Sequence, residues 1–177
     1  MDVGAIRLLP SDLHNAVAVA MNGDQDGACA VTTSGTIRCW GWGWGVGSFE
    51  AGPGIPSDNG YIGITSTYYN FCAWKVNGDV TCWGWNGYNL VSGHGDIGPV
   101  SKVIGTHEHG YCAVLKDHTH ACWGNTLSVD QSTAPEFVLD YAVSSNSWCA
   151  VDMTNSLTCG GDGNISNNIP SDIGLVK

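Results

Sequence analysis

The sequence has 177 residues, of which 25 are glycine and only 12% are charged. Average domains carry about 25% charged residues, so this composition disfavours long solvated helices and favours turns and strands. Six lysines and arginines against sixteen aspartates and glutamates give a net charge of −10, which repels phosphate backbones and anionic lipids. We therefore expect one folding unit built of strands, with neither nucleic acid nor a membrane surface as its partner.

The apolar runs and the first residues bear on processing and compartment. No run of about eighteen apolar residues occurs, and residues 1–20 lack the basic start and apolar stretch of a signal peptide. We therefore expect no direct membrane insertion, and a chain that is a mature or partial form. Cysteine pairing, if present, implies an oxidising compartment.

One sequence unit recurs four times along the chain, and it uses all eight cysteines. The first cysteines of successive copies lie 43, 40 and 37 residues apart, whereas the ten-residue gap within each copy is invariant. A period near 40 residues indicates a repeat architecture. The copies are CAVTTSGTIRCWG (29–41), CAWKVNGDVTCWG (72–84), CAVLKDHTHACWG (112–124) and CAVDMTNSLTCGG (149–161).

Each copy predicts a β-hairpin, because two β-prone runs flank a turn between its cysteines. A three-residue loop would end in a left-handed residue, and Gly35, Gly78, His118 and Asn155 occupy that position. This register sets the two cysteines opposite each other, close enough for a disulfide. Reduced buried thiols are the alternative, whereas zinc ligands typically come as closer pairs. The predicted bridges are Cys29–Cys39, Cys72–Cys82, Cys112–Cys122 and Cys149–Cys159.

A turn and an apolar strand precede each hairpin. The strands include AVAVA (16–20) and DYAVS (140–144), and each unit thus reads as turn, strand, hairpin and glycine-rich exit. Several strands per period with a trailing Trp-Gly are typical of propeller blades. The turns are LPSDL (9–13), IPSDN (55–59), HGDIG (94–98), TAPEF (133–137) and IPSDI (169–173).

On these motifs the chain resembles the regulator of chromosome condensation repeat family, whose blades carry Cys-Ala-x-x-x-x-Gly-x-x-x-Cys-Trp-Gly. One departure is Gly160, where that pattern has tryptophan. The resemblance implies an all-β propeller, or a propeller segment, in a single repeat domain spanning 1–177. The implied blades are about 9–54, 55–93, 94–132 and 133–168, with 169–177 as the start of a fifth blade or a closing strand.

Family members usually form a closed ring of seven blades, so the four blades of this chain predict an open arc. Its exposed edge would be covered by a protein partner or a second copy. Nuclear members act on a small GTPase and on chromatin, which the acidic charge and paired cysteines argue against. Plant photoreceptors of the fold use Gly-Trp-Arg-His-Thr segments, which this sequence lacks.

These observations predict a non-enzymatic protein–protein interaction or scaffold module. We expect it to be an accessory subunit of an extracytoplasmic assembly that is secreted, at the cell surface or in an organelle lumen. The alternative is a carbohydrate-binding, lectin-like propeller; a protein inhibitor of an enzyme, as one bacterial family member is, is less favoured. No G-x-S-x-G, H-E-x-x-H or P-loop motif supports catalysis.

Aromatic residues outside the repeat are the candidate binding surface. Trp40, Trp83 and Trp123 recur, which predicts packing between blades. At two-residue spacing, Trp42 and Trp44 would share one face of an extended strand with Trp40. Such a stripe suits a partner protein or sugar rings, although core filling or contact between blades is the more common role of such aromatics. The non-recurring candidates are Trp42, Trp44, Trp85 and Tyr88, with Tyr68 and Tyr69 beside them.

Two groups of residues are weak metal candidates. Asn22, Asp24 and Asp26 alternate as in the first half of a calcium loop, but Thr33 stands where the bidentate Glu belongs. Histidines concentrate near the third copy and suit a transition metal only if their strand faces converge. We therefore expect no cofactor, with calcium as a weak possibility. The histidines are His94, His107, His109, His118 and His120.

Overall fold

The computed structural model describes residues 13–23, 26–43, 46, 54–106, 110–125, 133–144 and 146–161. These residues form four sheets of three consecutive antiparallel strands. The only helix in this part of the chain is the 3-10 helix Gly87–Asn89. None of its helices is long and apolar enough to cross a membrane.

The strands of each sheet follow chain order, so the sheets are named sheet 1 to sheet 4. This arrangement confirms the prediction of an all-β chain of blade-like repeats. Sheet 1 is β1 (Ala16–Met21), β2 (Gly27–Thr32) and β3 (Ile37–Gly41); sheet 2 is β4 (Tyr61–Ser66), β5 (Asn70–Lys75) and β6 (Val80–Gly84); sheet 3 is β7 (Val100–Gly105), β8 (Gly110–Leu115) and β9 (His120–Gly124); sheet 4 is β10 (Val138–Val143), β11 (Ser147–Asp152) and β12 (Leu157–Gly161).

The hairpin loops have the predicted three residues. In sheet 1 the Thr32 amide donates to the Thr36 carbonyl at 3.0 Å, and the Gly35 amide donates to the Thr32 carbonyl at 2.9 Å. The last loop residue is left-handed in all four hairpins, with φ of 75° at Gly35, 98° at Gly78, 70° at His118 and 63° at Asn155. The turn therefore sets the register, as predicted.

The register places the two cysteines of each repeat directly opposite each other, for example Cys29 and Cys39. Their Cα atoms are 4.0–4.1 Å apart, slightly closer than an ordinary non-hydrogen-bonded pair. All eight cysteines are paired, and each bridge lies within its own repeat. The disulfide prediction is confirmed, and the alternative of reduced thiols is wrong. The bridges are Cys29–Cys39, Cys72–Cys82, Cys112–Cys122 and Cys149–Cys159.

All three pairs of neighbouring sheets pack in the same way. At each junction the first strand of the later sheet lies on the first two strands of the earlier sheet: β4 on β1 and β2, β7 on β4 and β5, and β10 on β7 and β8. Three apolar clusters fill these junctions. Among the described strands, no such junction joins sheet 4 back to sheet 1. The described strands therefore form an open arc; residues 169–177, predicted to start a fifth blade or to close the propeller, lie outside the described residues.

The recurring tryptophans fill the junctions in sheets 2 and 3. Trp83 is fully buried and stacks on Phe71 with ring centroids 5.7 Å apart. Trp123 stacks on Tyr111 at 5.3 Å, and its indole N–H donates to the Leu90 carbonyl at 3.0 Å. The prediction that these residues pack between blades is confirmed for both.

Sheet 4 takes the tryptophan of this cross-strand pair from the other strand. Gly160 stands where the other sheets have tryptophan, and it pairs in register with Trp148. A Cβ at Gly160 would lie 2.6 Å from the Trp148 ring. A side chain at Gly160 would therefore require that ring to move. The tryptophan of sheet 4 thus comes from β11 instead of β12, which accounts for the departure from the repeat at Gly160.

Candidate functional site

Four aromatic side chains gather at one end of sheet 2. Ring centroids are 5.0 Å apart for Tyr68 and Tyr69, 5.5 Å for Tyr69 and Trp85, and 5.7 Å for Trp85 and Tyr88. The interplanar angles of 82°, 78° and 82° make each pair edge-to-face, which is a favoured arrangement of aromatic quadrupoles. We call Tyr68, Tyr69, Trp85 and Tyr88 the aromatic cluster.

Backbone geometry holds the aromatic cluster together. Gly84 ends β6 with φ of +106°, and the following Trp85 amide donates to the Tyr69 carbonyl at 3.2 Å. A Cβ on Gly84 would approach that carbonyl oxygen to 2.7 Å, so only glycine fits there. The Asn70 side-chain amide also donates to the Trp85 carbonyl. These contacts hold Trp85 beside the turn that carries the two tyrosines.

Tyr88 is the most accessible member of the aromatic cluster, with 56% of its surface exposed. It lies in the 3-10 helix with φ of 56°, and the next residue, Asn89, is also left-handed. A left-handed conformation costs a non-glycine residue about 1–2 kcal/mol. The Asn86 side-chain oxygen accepts the Val91 amide at 2.9 Å and closes this segment. An exposed tyrosine is thus presented on a strained turn.

Trp42 occupies in sheet 1 the place that Trp85 occupies in sheet 2. Its amide donates to the Asp26 carbonyl at 3.2 Å, and it is 56% exposed. The prediction that Trp40 and Trp42 share one face of an extended strand is wrong, because β3 ends at Gly41, where φ is +100°. Trp44, the third member of the predicted stripe, lies outside the described residues.

The calcium candidates have only local roles where they are described. Asn22 is buried, and its side-chain oxygen accepts the Gly27 amide at 3.0 Å, which closes the turn between β1 and β2. Asp26 is exposed, and Asp24 lies outside the described residues. Within the described ranges, no group of three or more His, Cys, Asp or Glu side chains is placed to hold a metal ion.

The histidines do not converge where they are described. His118 occupies the left-handed turn position. His120 stacks on Tyr141 across the junction of sheets 3 and 4, with ring centroids 5.0 Å apart. Burial lowers the pKa of His120 and raises the pKa of Tyr141 to about 12. His107 and His109 lie outside the described residues.

A polar cleft between sheets 2 and 3 did not emerge from the sequence. It has a volume of about 610 Å³ and an ion pair at its wall, with Lys75 Nζ 2.6 Å from Asp58 Oδ2. The Tyr61 hydroxyl donates to the same carboxylate at 2.8 Å. The hydrogen bond from Lys75 lowers the pKa of Asp58. The recurring Pro-Ser-Asp turn, which contains Asp58, is the sequence feature that could have indicated this cleft. Other lining residues include Asp79, Thr81, His94 and Asp96.

Comparison with solved structures shows which proteins have a similar fold. The ectodomain of the Physcomitrella patens receptor kinase CR4 matches 82% of this chain with a TM-score of 0.61 and 23% identity. Human WBSCR16 matches 90% with a TM-score of 0.62 and 16% identity. Yeast RCC1 (Prp20), crystallised with Kap60, matches 84% with a TM-score of 0.57 and 14% identity. These likenesses confirm the fold of propellers of the RCC1 type.

The same comparisons set limits on what the likeness covers. The matched region spans 38%, 50% and 44% of these three chains, respectively. No protein-family model matches the sequence, and no curated protein matches it. The fold is therefore shown by structure, while the partner must be inferred from this chain's own residues.

Proposed function

We propose that this chain is a non-enzymatic interaction module that binds a protein partner through the aromatic cluster. The observation that carries the proposal is the exposed, left-handed Tyr88 packed edge-to-face on Trp85. Tyrosine and tryptophan are enriched at the energetic centres of protein interfaces. A ring held by its neighbours also loses little side-chain freedom on binding.

We further propose that the module works in an extracytoplasmic assembly as an accessory subunit. Four disulfides in 177 residues support an oxidising compartment. A propeller with a protein partner has a structural precedent in yeast RCC1, which was crystallised with Kap60. The net charge of −10 favours a partner whose contacting surface is neutral or basic.

A protein partner fits the aromatic cluster better than a sugar does. Sugar rings stack flat on an aromatic face, whereas each perpendicular pair in the cluster already covers one face of a ring. The cluster instead presents the exposed Tyr88. A lectin-like activity is therefore the competing outcome of the experiment that follows.

The experiment first identifies the partner by cross-linking the tagged chain in its native source and mapping the linked peptides. Binding of that partner is then measured for Tyr88→Ala and Trp85→Ala, beside Phe137→Ala as a matched control. Phe137 is 46% exposed and lies outside the aromatic cluster. Loss of about 2 kcal/mol at a central aromatic weakens binding about 30-fold, while the control should stay within about two-fold of the wild-type Kd.

Two further measurements separate the alternatives. Melting temperatures show whether a variant has lost stability instead of binding, which matters for the half-buried Trp85. A glycan array tests the sugar alternative directly. Selective glycan binding that Tyr88→Ala abolishes, or partner binding that neither cluster variant weakens, would overturn the proposal.

A further inference from the structure

The outer side of strand β1 in sheet 1 is apolar and exposed. Val17, Val19 and Met21 alternate along β1 and are 57%, 62% and 66% exposed. Alternation places Val19 and Met21 on the same side of the strand, and Val17 stands at the bulge between Ala16 and Ala18. The opposite side of β1, carrying Ala18 and Ala20, packs into the junction with sheet 2. Strand β1 therefore has one side in a junction and one apolar side in solvent.

The equivalent face is buried in every other sheet. Val19 pairs in register with Ala30, the alanine of its Cys-Ala motif, and the residues paired with that alanine in sheets 2 to 4 are Ile64, Val103 and Tyr141. These three are only 7%, 2% and 2% exposed. Each lies in the junction with the preceding sheet. The register thus identifies the exposed face of β1 as a junction surface.

The far end of the arc carries the complementary surface. At the first junction, Val31 and Ile37 of sheet 1 are 0% and 7% exposed, and both share an apolar cluster with Ile64 of β4. Their counterparts in sheet 4 are Val151 and Leu157, which pair with each other in the same register. Both are more exposed than the pair in sheet 1. Sheet 4 thus presents an apolar pair equivalent to the pair of sheet 1 that receives β4, with Asp140 in the row where sheet 1 has Ala18.

We propose that two copies of this chain associate head to tail, with β1 of each copy lying on β10 and β11 of the other. This surface is separate from the aromatic cluster, so the inference goes beyond the proposed function. The chain itself contains both halves of the missing junction, in the register that its three internal junctions use. Because each copy carries both surfaces, a second copy can cover the exposed side of β1 without any other partner.

A pair of copies also closes the arc of sheets into a ring. A two-fold axis makes two identical junctions, so neither terminal face stays exposed. The result has eight sheets, and propellers of about four to eight blades are known. Val19 would meet Val151 and Leu157 as Ile64 meets Val31 and Ile37, with one methylene less on the first strand.

The test measures the mass of the 177-residue chain by light scattering after gel filtration, from about 1 to 100 μM. The expected species is a pair. Val19→Lys and Val151→Glu each put a charge among the apolar side chains of the proposed junction, where Asp140, which pairs in register with Val151, is already bonded to Lys102. Each variant should weaken association at least about 100-fold. Val76→Lys is the control, because Val76 is 68% exposed on the hairpin loop of sheet 2, and it should not change the mass.

A charge-pair variant distinguishes specific packing from general stickiness. When Val19→Lys and Val151→Glu are combined in one chain, the lysine of one copy meets the glutamate of the other, and pairing should recover at least ten-fold over either single variant. Circular dichroism confirms that each variant is folded. A single-chain mass at every concentration, open-ended oligomers, or a pair insensitive to both single variants would overturn the inference. None of these results bears on partner binding by the aromatic cluster.

Discussion

Removing a disulfide should cost more stability in sheet 2 than in sheet 4, although the two bridges close loops of equal length. The perturbations are Cys72→Ala with Cys82→Ala, and Cys149→Ala with Cys159→Ala. Both cysteines are exchanged together, so no free thiol remains. In each case ten residues separate the bridged positions. The chain-entropy model assigns such a loop about 2.7 kcal/mol at 25 °C.

Burial separates the two variants. Cys72 is fully buried, Cys82 is 4% exposed, and both belong to the cluster between sheets 2 and 3. Cys149 and Cys159 are both only half-buried. Deleting one well-packed atom from a core costs about 1 kcal/mol, from lost contacts and the residual cavity. We therefore expect a loss of about 5 kcal/mol in sheet 2 and about 3 kcal/mol in sheet 4.

The assay is urea unfolding of the oxidised proteins, followed by tryptophan fluorescence, with the three remaining bridges verified by intact mass. The free energy of unfolding and the m-value are compared with those of the wild type. If the two losses agree within about 0.5 kcal/mol, burial of the bridge adds nothing and the packing argument fails. If the sheet 4 variant loses almost nothing, the loop-entropy argument fails instead.

Two further predictions follow from junction packing. Gly160→Ala should lower the free energy of unfolding by about 1–3 kcal/mol, because its Cβ would overlap the ring of Trp148; an unchanged urea midpoint would contradict this. Below pH about 6.5 the wild type should lose stability, because burial lowers the pKa of His120 and the unfolded chain then binds more protons. His120→Leu should reduce that loss, measured as the difference in urea midpoint between pH 7.5 and pH 5.0, and equal differences in both proteins would refute the assignment.

The repeat made the hairpins and the bridges predictable. A ten-residue gap with a left-handed residue at its last loop position leaves one register, and that register decides which cysteines face each other. His118 and Asn155 show how strong the constraint is, since neither is glycine and both still adopt positive φ. Local chemistry therefore determined these elements without knowledge of the rest of the fold.

Spacing alone was a poor guide to the aromatic surface. The two-residue interval of Trp40 and Trp42 reads as one strand face only if the strand continues, and Gly41 ends it. The ion pair of Lys75 with Asp58 joins residues 17 positions apart through the turn before β4. No periodicity encodes such a contact, because it depends on where two loops meet in space.

Positions that recur in each repeat have a different structural role from positions that do not recur. A residue at a junction must fit the face of the neighbouring sheet, as Trp83 and Trp123 do. The position after the Trp-Gly exit is less buried: Trp85 packs at the margin of the cluster between sheets 2 and 3, and Trp42 is 56% exposed. Trp42 and Trp85 occupy that position in sheets 1 and 2 and make equivalent amide hydrogen bonds, whereas sheet 3 has Asn125 there. Core packing accounts in part for Trp85, whereas Trp42 and Tyr88 are each 56% exposed. These exposed rings are the physical reason for placing the proposed partner at that end of sheets 1 and 2.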